Sequence, residues 1–334
     1  MTDSFALLTD EERRLLRKST QPGWVSPMKA VLTKDRFSDP EWIFEPKLDG
    51  ERCLALKAKS QVRLLSRNRK PMNSSYPEIV EALAEQEPAN VVLDGEVVAF
   101  KGGATSFARL QRRMHVMDPE VARRTGVAVF FYVFDIVFLD GYDLTELPLR
   151  ARKKLLRKAL AFGEPLRFMS HRNEKGEAYF EETCAKPGWE GIIAKRADSP
   201  YVQTRSRYWL KFKCANQQEF VVGGFTDPQG SRTGFGALLI GYYDGDRLRY
   251  AGKVGTGYDR KTLETLSRLL RSKERAGSPF ADRLEVKAAH WVTPSLVAQI
   301  GFAEWTGDGK LRHPRFLGLR RDKPAREVVR ETPG

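Results

Sequence analysis

Cysteine, histidine and long apolar runs are all scarce in this sequence, and each scarcity argues against a class of protein. Only Cys53, Cys184 and Cys214 occur in 334 residues. They lie far apart and form no C-x-x-C pair, so we expect neither a structural zinc site nor a disulfide framework, and we expect a reducing compartment. The four histidines show no metal-ligand spacing. No apolar run approaches the length of a membrane span, and the N-terminal segment lacks a basic region followed by an apolar stretch, so we expect neither membrane insertion nor secretion.

Positive charge is what the sequence has in excess. Lysine and arginine number 57 against 43 aspartates and glutamates, which gives a net charge of +14. Because neutralisation of phosphates supplies most of the non-specific affinity for nucleic acid, this excess favours a polyanionic partner.

The chain is long enough for two domains, each with its own core. Residues 1–40 are polar and helix-prone at first and then rich in proline and small residues, and residues 1–25 are expected to form an extension. Residues 26–214 alternate strand-like runs with short helical patterns, and a polar link then leads into residues 215–334. The pattern as a whole predicts an α+β protein.

Local patterns predict particular elements in both domains. The β-branched and aromatic run 127–139 predicts a buried central strand, and helices are expected from Tyr76-Pro77 to about Glu85 and over 150–161. Beyond residue 214, short strands with glycine turns and one helix capped by Asp259 predict a Greek-key barrel of the OB type. Its strands are expected at 220–225, 237–243, 248–254, 290–300 and 314–320.

Lys47 is the most informative residue of the first domain. It stands in Glu45-Pro46-Lys47-Leu48-Asp49-Gly50-Glu51-Arg52, where Asp49-Gly50 predicts a hairpin turn between strands at 41–46 and 52–58. A lysine that is partly desolvated beside other cations has a lowered pKa, and its free amine can attack an electrophile. The alternative for this segment alone is a surface lysine beside a turn.

Further motifs follow Lys47 in a fixed order. Taken singly, each is also typical of ordinary turns, core aromatics or solvated strand faces, so their ordered occurrence carries the argument. They are Arg67 in Ser66-Arg67-Asn68, Glu96 after an expected Asp94-Gly95 turn, Phe134 in Tyr132-Val133-Phe134-Asp135, Glu190 before an apolar strand, and Lys211 and Lys213 on one strand face.

The ordered set resembles the ATP-dependent DNA ligases of the covalent nucleotidyltransferase superfamily over roughly residues 25–325. The resemblance implies an adenylation domain of mainly antiparallel sheets with flanking helices, followed by an OB-fold barrel. It also implies that Lys47 attacks the α-phosphate of ATP, forming lysyl-AMP and releasing pyrophosphate. Asp49 and Arg52 complete the motif, with Arg52 at the ribose or the DNA 5′-phosphate. Glu45 would line the adenine edge and Phe134 would stack on the base.

The same resemblance assigns the remaining residues. Glu96 would contact ribose or a metal ion, and Glu190 would hold a divalent metal, Mg²⁺ or alternatively Mn²⁺. Lys211 and Lys213 would contact the α-phosphate and lower the pKa of Lys47. The other positions are Arg67 at the 5′-phosphate of the nick, and Arg320 and Lys323, in the run 312–323, at the leaving pyrophosphate. The barrel would then swing away and clamp DNA.

The amino-acid sequences of these motifs are similar to those of bacterial non-homologous end-joining ligases. That similarity implies a monomer in the bacterial cytoplasm, without membrane contact, that seals nicked or broken double-stranded DNA. Ku and separate end-processing proteins are its hypothetical partners. Two alternatives stay open. One is an RNA ligase or a capping-type nucleotidyltransferase, which shares Lys-x-Asp-Gly, and the other is a non-catalytic OB-fold DNA-binding protein.

Overall fold

The computed structural model describes residues 4–186, 188–228, 233–284, 286 and 288–331. The chain divides after Cys214 into two compact units. Within the described residues, no helix is long and apolar enough to cross a membrane.

The first unit contains fourteen strands, six α-helices and one short 3-10 helix (Ser4–Leu7) among its described residues. The strands are β1 (Arg17–Lys18), β2 (Lys29–Leu32), β3 (Trp42–Pro46), β4 (Glu51–Ala58), β5 (Gln61–Ser66), β6 (Asn90–Val98), β7 (Phe100–Lys101), β8 (Ala104–Thr105), β9 (Phe130–Leu139), β10 (Tyr142–Asp143), β11 (Leu166–Phe168), β12 (Arg172–Asn173), β13 (Gly191–Arg196) and β14 (Arg205–Lys213). The helices are α1 (Asp10–Arg14), α2 (Pro77–Ala84), α3 (Phe107–Leu110), α4 (Pro119–Arg124), α5 (Leu149–Ala159) and α6 (Gly176–Cys184).

Two mainly antiparallel sheets form most of this unit, and β7 and β8 form a separate two-stranded sheet. The larger has the order β1-β10-β9-β6-β4-β5, with β11 parallel to β9, and the smaller has the order β12-β3-β13-β14-β2. Both faces of the larger sheet are buried. Alternate side chains of β4 point to opposite faces, and the two sets pack in two different hydrophobic cores. Cys53 and Ala55 pack in the core that also holds Leu83 of α2. Leu54 instead packs in a core that also holds Trp209 of β14.

Both expected Asp-Gly hairpins are wrong. β3 pairs with β12 and β13 in the smaller sheet, whereas β4 pairs with β5 and β6 in the larger one, so Lys47 and Asp49 lie on a connection between sheets. Asp94-Gly95 lies inside the continuous strand β6. A Cβ atom at Gly95 would come within 2.4 Å of the Phe131 ring, so close packing against β9 explains this glycine.

The expectation of no disulfide is also wrong. Cys184, at the end of α6, is bonded to Cys214, just after β14, across 30 positions of sequence. Cys53 is a free cysteine buried in the core. Sequence spacing alone could not reveal the bond, because β13 and β14 form an antiparallel pair that returns the chain to α6.

The second unit is a small curled sheet with one long helix. Its strands are β15 (Asn216–Thr226), β16 (Leu238–Asp244), β17 (Arg247–Val254), β18 (Glu274–Arg275), β19 (Ala289–Phe302), β20 (Glu304–Trp305), β21 (Leu311–Arg312) and β22 (Arg315–Arg320), and its helix is α7 (Arg260–Arg271). Strands follow one another in the order β17-β16-β15-β19-β22. A parallel bridge between Thr256 and Arg315 then joins the two ends of that order into a barrel. Asp259 caps α7 as predicted, by accepting from Thr262 N at 2.7 Å.

Candidate active site

The backbone holds Lys47 against the start of β13. Lys47 N donates to Gly191 O at 2.8 Å, and Cys214 N donates to Glu190 O at 3.0 Å. Gly191 has φ +135°, and a Cβ atom there would meet Phe212 O at 1.9 Å, so only glycine fits this crossing. As a result the Lys47 ammonium forms an ion pair with the Glu190 carboxylate.

Carboxylates control the charge of Lys47. Burial alone would lower the pKa of Lys47, but Glu190, followed by Asp49 and Glu96, outweighs burial and raises that pKa above its usual value. The predicted lowering of the pKa is therefore wrong for this arrangement. Lys47 is an ammonium ion in the structure, and it must lose a proton before it can act as a nucleophile.

Asp49 fastens the connection that carries Lys47. Its backbone N donates to Thr105 Oγ1 at 3.0 Å, and its carboxylate accepts from Phe107 N, at the start of α3, at 3.4 Å. A Cβ atom at Gly50 would lie 2.3 Å from Val97 O, so the chain passes directly against β6. The Asp-Gly pair thus serves anchoring and close packing rather than a turn.

Arg52 is held by Asp94, a residue that was expected to lie in a turn. Arg52 Nε and Nη2 donate to the two oxygens of Asp94 at 2.5 and 2.6 Å. Asp94 is fully buried and also accepts from the Tyr201 hydroxyl at 2.6 Å. The Arg52 guanidinium lies 4.5 Å from the centroid of the Phe134 ring. This pair fixes Arg52 beside Phe134, where both were expected near a nucleotide.

Glu96 is a further carboxylate whose charge acts on Lys47. Glu96 lies directly opposite Arg52 in the pairing of β6 with β4, in the middle of a strand rather than at a strand start. Its charge acts on Lys47 together with those of Asp49 and Glu190. Carboxylate oxygens suit Mg²⁺, which commonly binds through one or two carboxylates and completes its shell with water and phosphate. Glu190 and Glu96 are thus of the ligand type that the expected ion uses, but among the described residues no group of three or more His, Cys, Asp or Glu is placed to hold a metal ion.

A buried charge cluster lies on the face of the smaller sheet that carries Lys211. Glu45 Oε1 lies 2.5 Å from Lys153 Nζ, and Glu45 Oε2 lies 2.6 Å from Lys195 Nζ. The second contact is an ion pair without hydrogen-bond geometry. Lys195 Nζ also lies 4.2 Å from the Phe134 centroid and 4.1 Å from the Trp209 centroid. We name Glu45, Lys153 and Lys195 the buried triad.

The charges of the triad influence one another. Burial alone would raise the pKa of Glu45, but Lys153 and Lys195 outweigh it and hold that pKa below its usual value, so Glu45 is ionised. Burial lowers the pKa of Lys195 to about 8, against the opposing effect of Glu45 and with a further lowering by Lys153. The nearby His171 is neutral at pH 7, because burial and then Lys153 lower its pKa to about 4.

The remaining predicted residues fall into two groups. Lys211 and Lys213 share one face of β14 with Trp209, as the alternation predicted, and Arg67 follows β5 in a turn. In the second unit, Arg320 forms two bonds of 2.9 Å to Asp322, and Lys323 lies 3.3 Å from Glu219.

Sequence reasoning missed four residues of this site: Asp94, Lys153, Lys195 and Trp209. Lys195 shares a sheet face with Glu45 because it stands two positions after Ile193, the partner of Glu45 in the pairing of β13 with β3, and only the structure reveals that pairing. Lys153 carried no usable signal, because it is one of several basic residues on α5.

Comparison with known proteins identifies relatives of both units. The family model described as "ATP dependent DNA ligase domain" matches residues 26–213, and that described as "ATP dependent DNA ligase C terminal region" matches residues 231–323. The multifunctional non-homologous end joining protein LigD of Pseudomonas aeruginosa is 37% identical over 95% of this chain. The corresponding DNA repair protein LigD of Mycobacterium tuberculosis is 39% identical over 87% of this chain.

A solved structure, "mycobacterial DNA ligase D complexed with ATP and MES", is also similar. It matches 92% of this chain and 98% of its own length, with a TM-score of 0.65 and 34% identity. This likeness confirms the expected fold class, an adenylation domain followed by an OB barrel. In contrast, the chain spans only 38% of the length of each of the two curated LigD proteins.

Proposed function

The chain belongs to the ATP-dependent DNA ligase family, and from that premise we propose that it seals nicks or broken ends in double-stranded DNA through a lysyl-AMP intermediate on Lys47. The observation that carries the proposal is the placement of this one amine. Lys47 is tied to Gly191 by its backbone and paired with Glu190, and two further carboxylates act on its charge. A partly buried lysine paired with one carboxylate and influenced by two others fits a site where an amine meets a metal-bound triphosphate.

Glu190 and Glu96 are the proposed ligands of a divalent ion, Mg²⁺ or Mn²⁺. When bound, such an ion would supply positive charge that offsets the phosphates and the carboxylates beside Lys47. Since Glu190 is the chief charge that raises the pKa of Lys47, any group that neutralises Glu190 favours release of the proton from the amine.

The nucleotide would then be positioned by protein groups. Phe134 would stack on the base and Glu45 would line its edge, while Lys211 and Lys213 would meet the α-phosphate. Asp49 would hold the Lys47 connection in place, and Arg52, fixed by Asp94, would touch ribose or the DNA 5′-phosphate. The further proposed contacts are Arg67 at the nick, and Arg320 and Lys323 at the leaving pyrophosphate.

The wider setting is proposed from the relatives, which are described as multifunctional end-joining proteins. We propose a monomer in the bacterial cytoplasm that works with Ku and with separate end-processing proteins. Its proposed parts are an extension (1–25), an adenylation domain (26–214) and an OB domain (215–334).

The experiment is a sealing assay on a labelled duplex that carries one nick, with ATP and Mg²⁺. We expect sealed strand from the natural protein and none from Lys47→Ala. An equivalent nick in RNA, and GTP in place of ATP, separate the RNA-sealing and capping alternatives. DNA binding without sealing under any of these conditions would instead support a non-catalytic binding protein and would refute the proposal.

A further inference from the structure

We infer that Lys153 is a positioning residue of the nucleotide pocket, which fixes Glu45 from α5 and so keeps the Lys195 ammonium beside the Phe134 and Trp209 rings. The inference rests on the proposed function and deepens it, because it concerns how the adenylation step binds its nucleotide. Lys153 itself would touch no substrate.

The first support is the burial of Lys153. Only 3% of its side chain is exposed, whereas Lys154, Arg157 and Lys158 on the same helix are exposed. Removing an ammonium ion from water costs several kcal/mol by order of magnitude, so a buried lysine requires strong partners. Lys153 Nζ has two, Glu45 Oε1 at 2.5 Å and Met169 O at 2.9 Å. A lysine that only covered the helix surface would keep its ammonium in solvent.

The second support is that Lys153 acts on the site through one carboxylate. Glu45 uses one oxygen for Lys153 and the other for Lys195, and it lies two residues before Lys47. With Lys153 in place, each oxygen of the Glu45 carboxylate contacts a different ammonium group, so the carboxylate has a fixed orientation. Without Lys153, Glu45 can rotate fully toward Lys195 and draw that ammonium away from the rings.

The third support is the charge balance of the buried triad. Two ammonium groups share one carboxylate, and each of the three side chains is at most 3% exposed. In the neighbouring buried pair, Arg152 balances Asp135, although the Asp135 charge also acts on Lys195. An excess positive charge in such surroundings favours an electron-rich ligand next to Lys195. Phe134, the proposed base platform, is the ring that Lys195 contacts.

The test measures single-turnover adenylation against ATP concentration, on protein first stripped of bound AMP with pyrophosphate. We expect Lys153→Met to raise the ATP concentration for half-maximal rate at least about tenfold, as for loss of a buried hydrogen bond to a charged group. The maximal rate should change much less. Lys154→Met, the exposed neighbour on α5, is the matched control and should behave like the natural protein.

A double-variant cycle with Glu45→Gln tests whether Lys153 acts through Glu45. If it does, Lys153→Met combined with Glu45→Gln will bind ATP about as weakly as Glu45→Gln alone. Effects that multiply independently, or an unchanged half-maximal concentration in Lys153→Met, would overturn the inference. Should Lys153→Met lack a native unfolding transition, Lys153→Gln replaces it, with the same expected direction and the same overturning result. Absence of adenylation in the natural protein would instead refute the proposed function.

Discussion

Breaking the bond between Cys184 and Cys214 should destabilise the first unit by a predictable amount. The bond spans 30 positions of sequence and encloses Glu190 together with all of β13 and β14. In the chain-entropy description, a closed loop of this length removes about 12 cal/mol/K from the unfolded chain, which corresponds to roughly 3.6 kcal/mol at room temperature. The expected loss of unfolding free energy on opening the loop is therefore about 3–4 kcal/mol.

Urea unfolding, followed by tryptophan fluorescence with and without a dithiol reductant, measures this loss. The variant with both Cys184→Ser and Cys214→Ser should match the reduced natural protein and should not respond to reductant. Thiol titration in denaturant should find one thiol, that of Cys53, before reduction and all three afterwards. Three thiols in protein that was never reduced, or an unfolding midpoint that ignores the reductant, would refute the reasoning.

Three further predictions concern charges inside the first unit. Asp135→Asn should cost about 3–5 kcal/mol in urea unfolding, because it leaves the fully buried Arg152 without its counter-charge; a cost below about 1 kcal/mol would contradict this. Glu190→Gln removes the chief charge that raises the pKa of Lys47, so an amine-directed reagent should label Lys47 faster at about pH 8. An unchanged labelling rate would contradict this effect of Glu190. The stability of the natural protein relative to Lys195→Met should rise as the pH increases from about 8 to 10.5, because in this pH range Lys195 is protonated in the unfolded chain but not in the folded protein. A stability difference that does not change with pH would be inconsistent with the lowered pKa of Lys195.

Elements with a strong local pattern could be predicted from the sequence. The apolar run 127–139 contains the buried strand β9, and the helix expected after its Asp259 cap corresponds to α7. In these segments the residues that decide the structure are close in sequence, so periodicity and capping are sufficient evidence.

The two Asp-Gly pairs misled the prediction for a physical reason. A glycine after aspartate suits a tight turn, but Gly50 and Gly95 are needed because neighbouring strands approach too closely for a Cβ atom. That approach depends on which strands pair across the sheet, and local sequence does not encode this pairing.

Only part of the site could be predicted from the sequence, because some of its contacts also depend on strand and helix packing. Motif order named Lys47 and Glu190 as candidates for one site, and the structure pairs their side chains, while alternation placed Lys211 and Lys213 on one face. Lys153 could not be found in this way, because its partner Glu45 lies 108 positions earlier and the contact depends on how α5 packs against β9 of the larger sheet.

The most direct test of the central claim is intact-mass analysis of the protein after incubation with ATP and Mg²⁺, followed by peptide mapping. The account predicts a gain of one AMP on Lys47 that GTP does not produce and that nicked DNA discharges. Lys47→Ala should gain nothing. No adduct from stripped protein, or an adduct on another residue that still discharges to DNA, would contradict the assignment of Lys47 as the nucleophile.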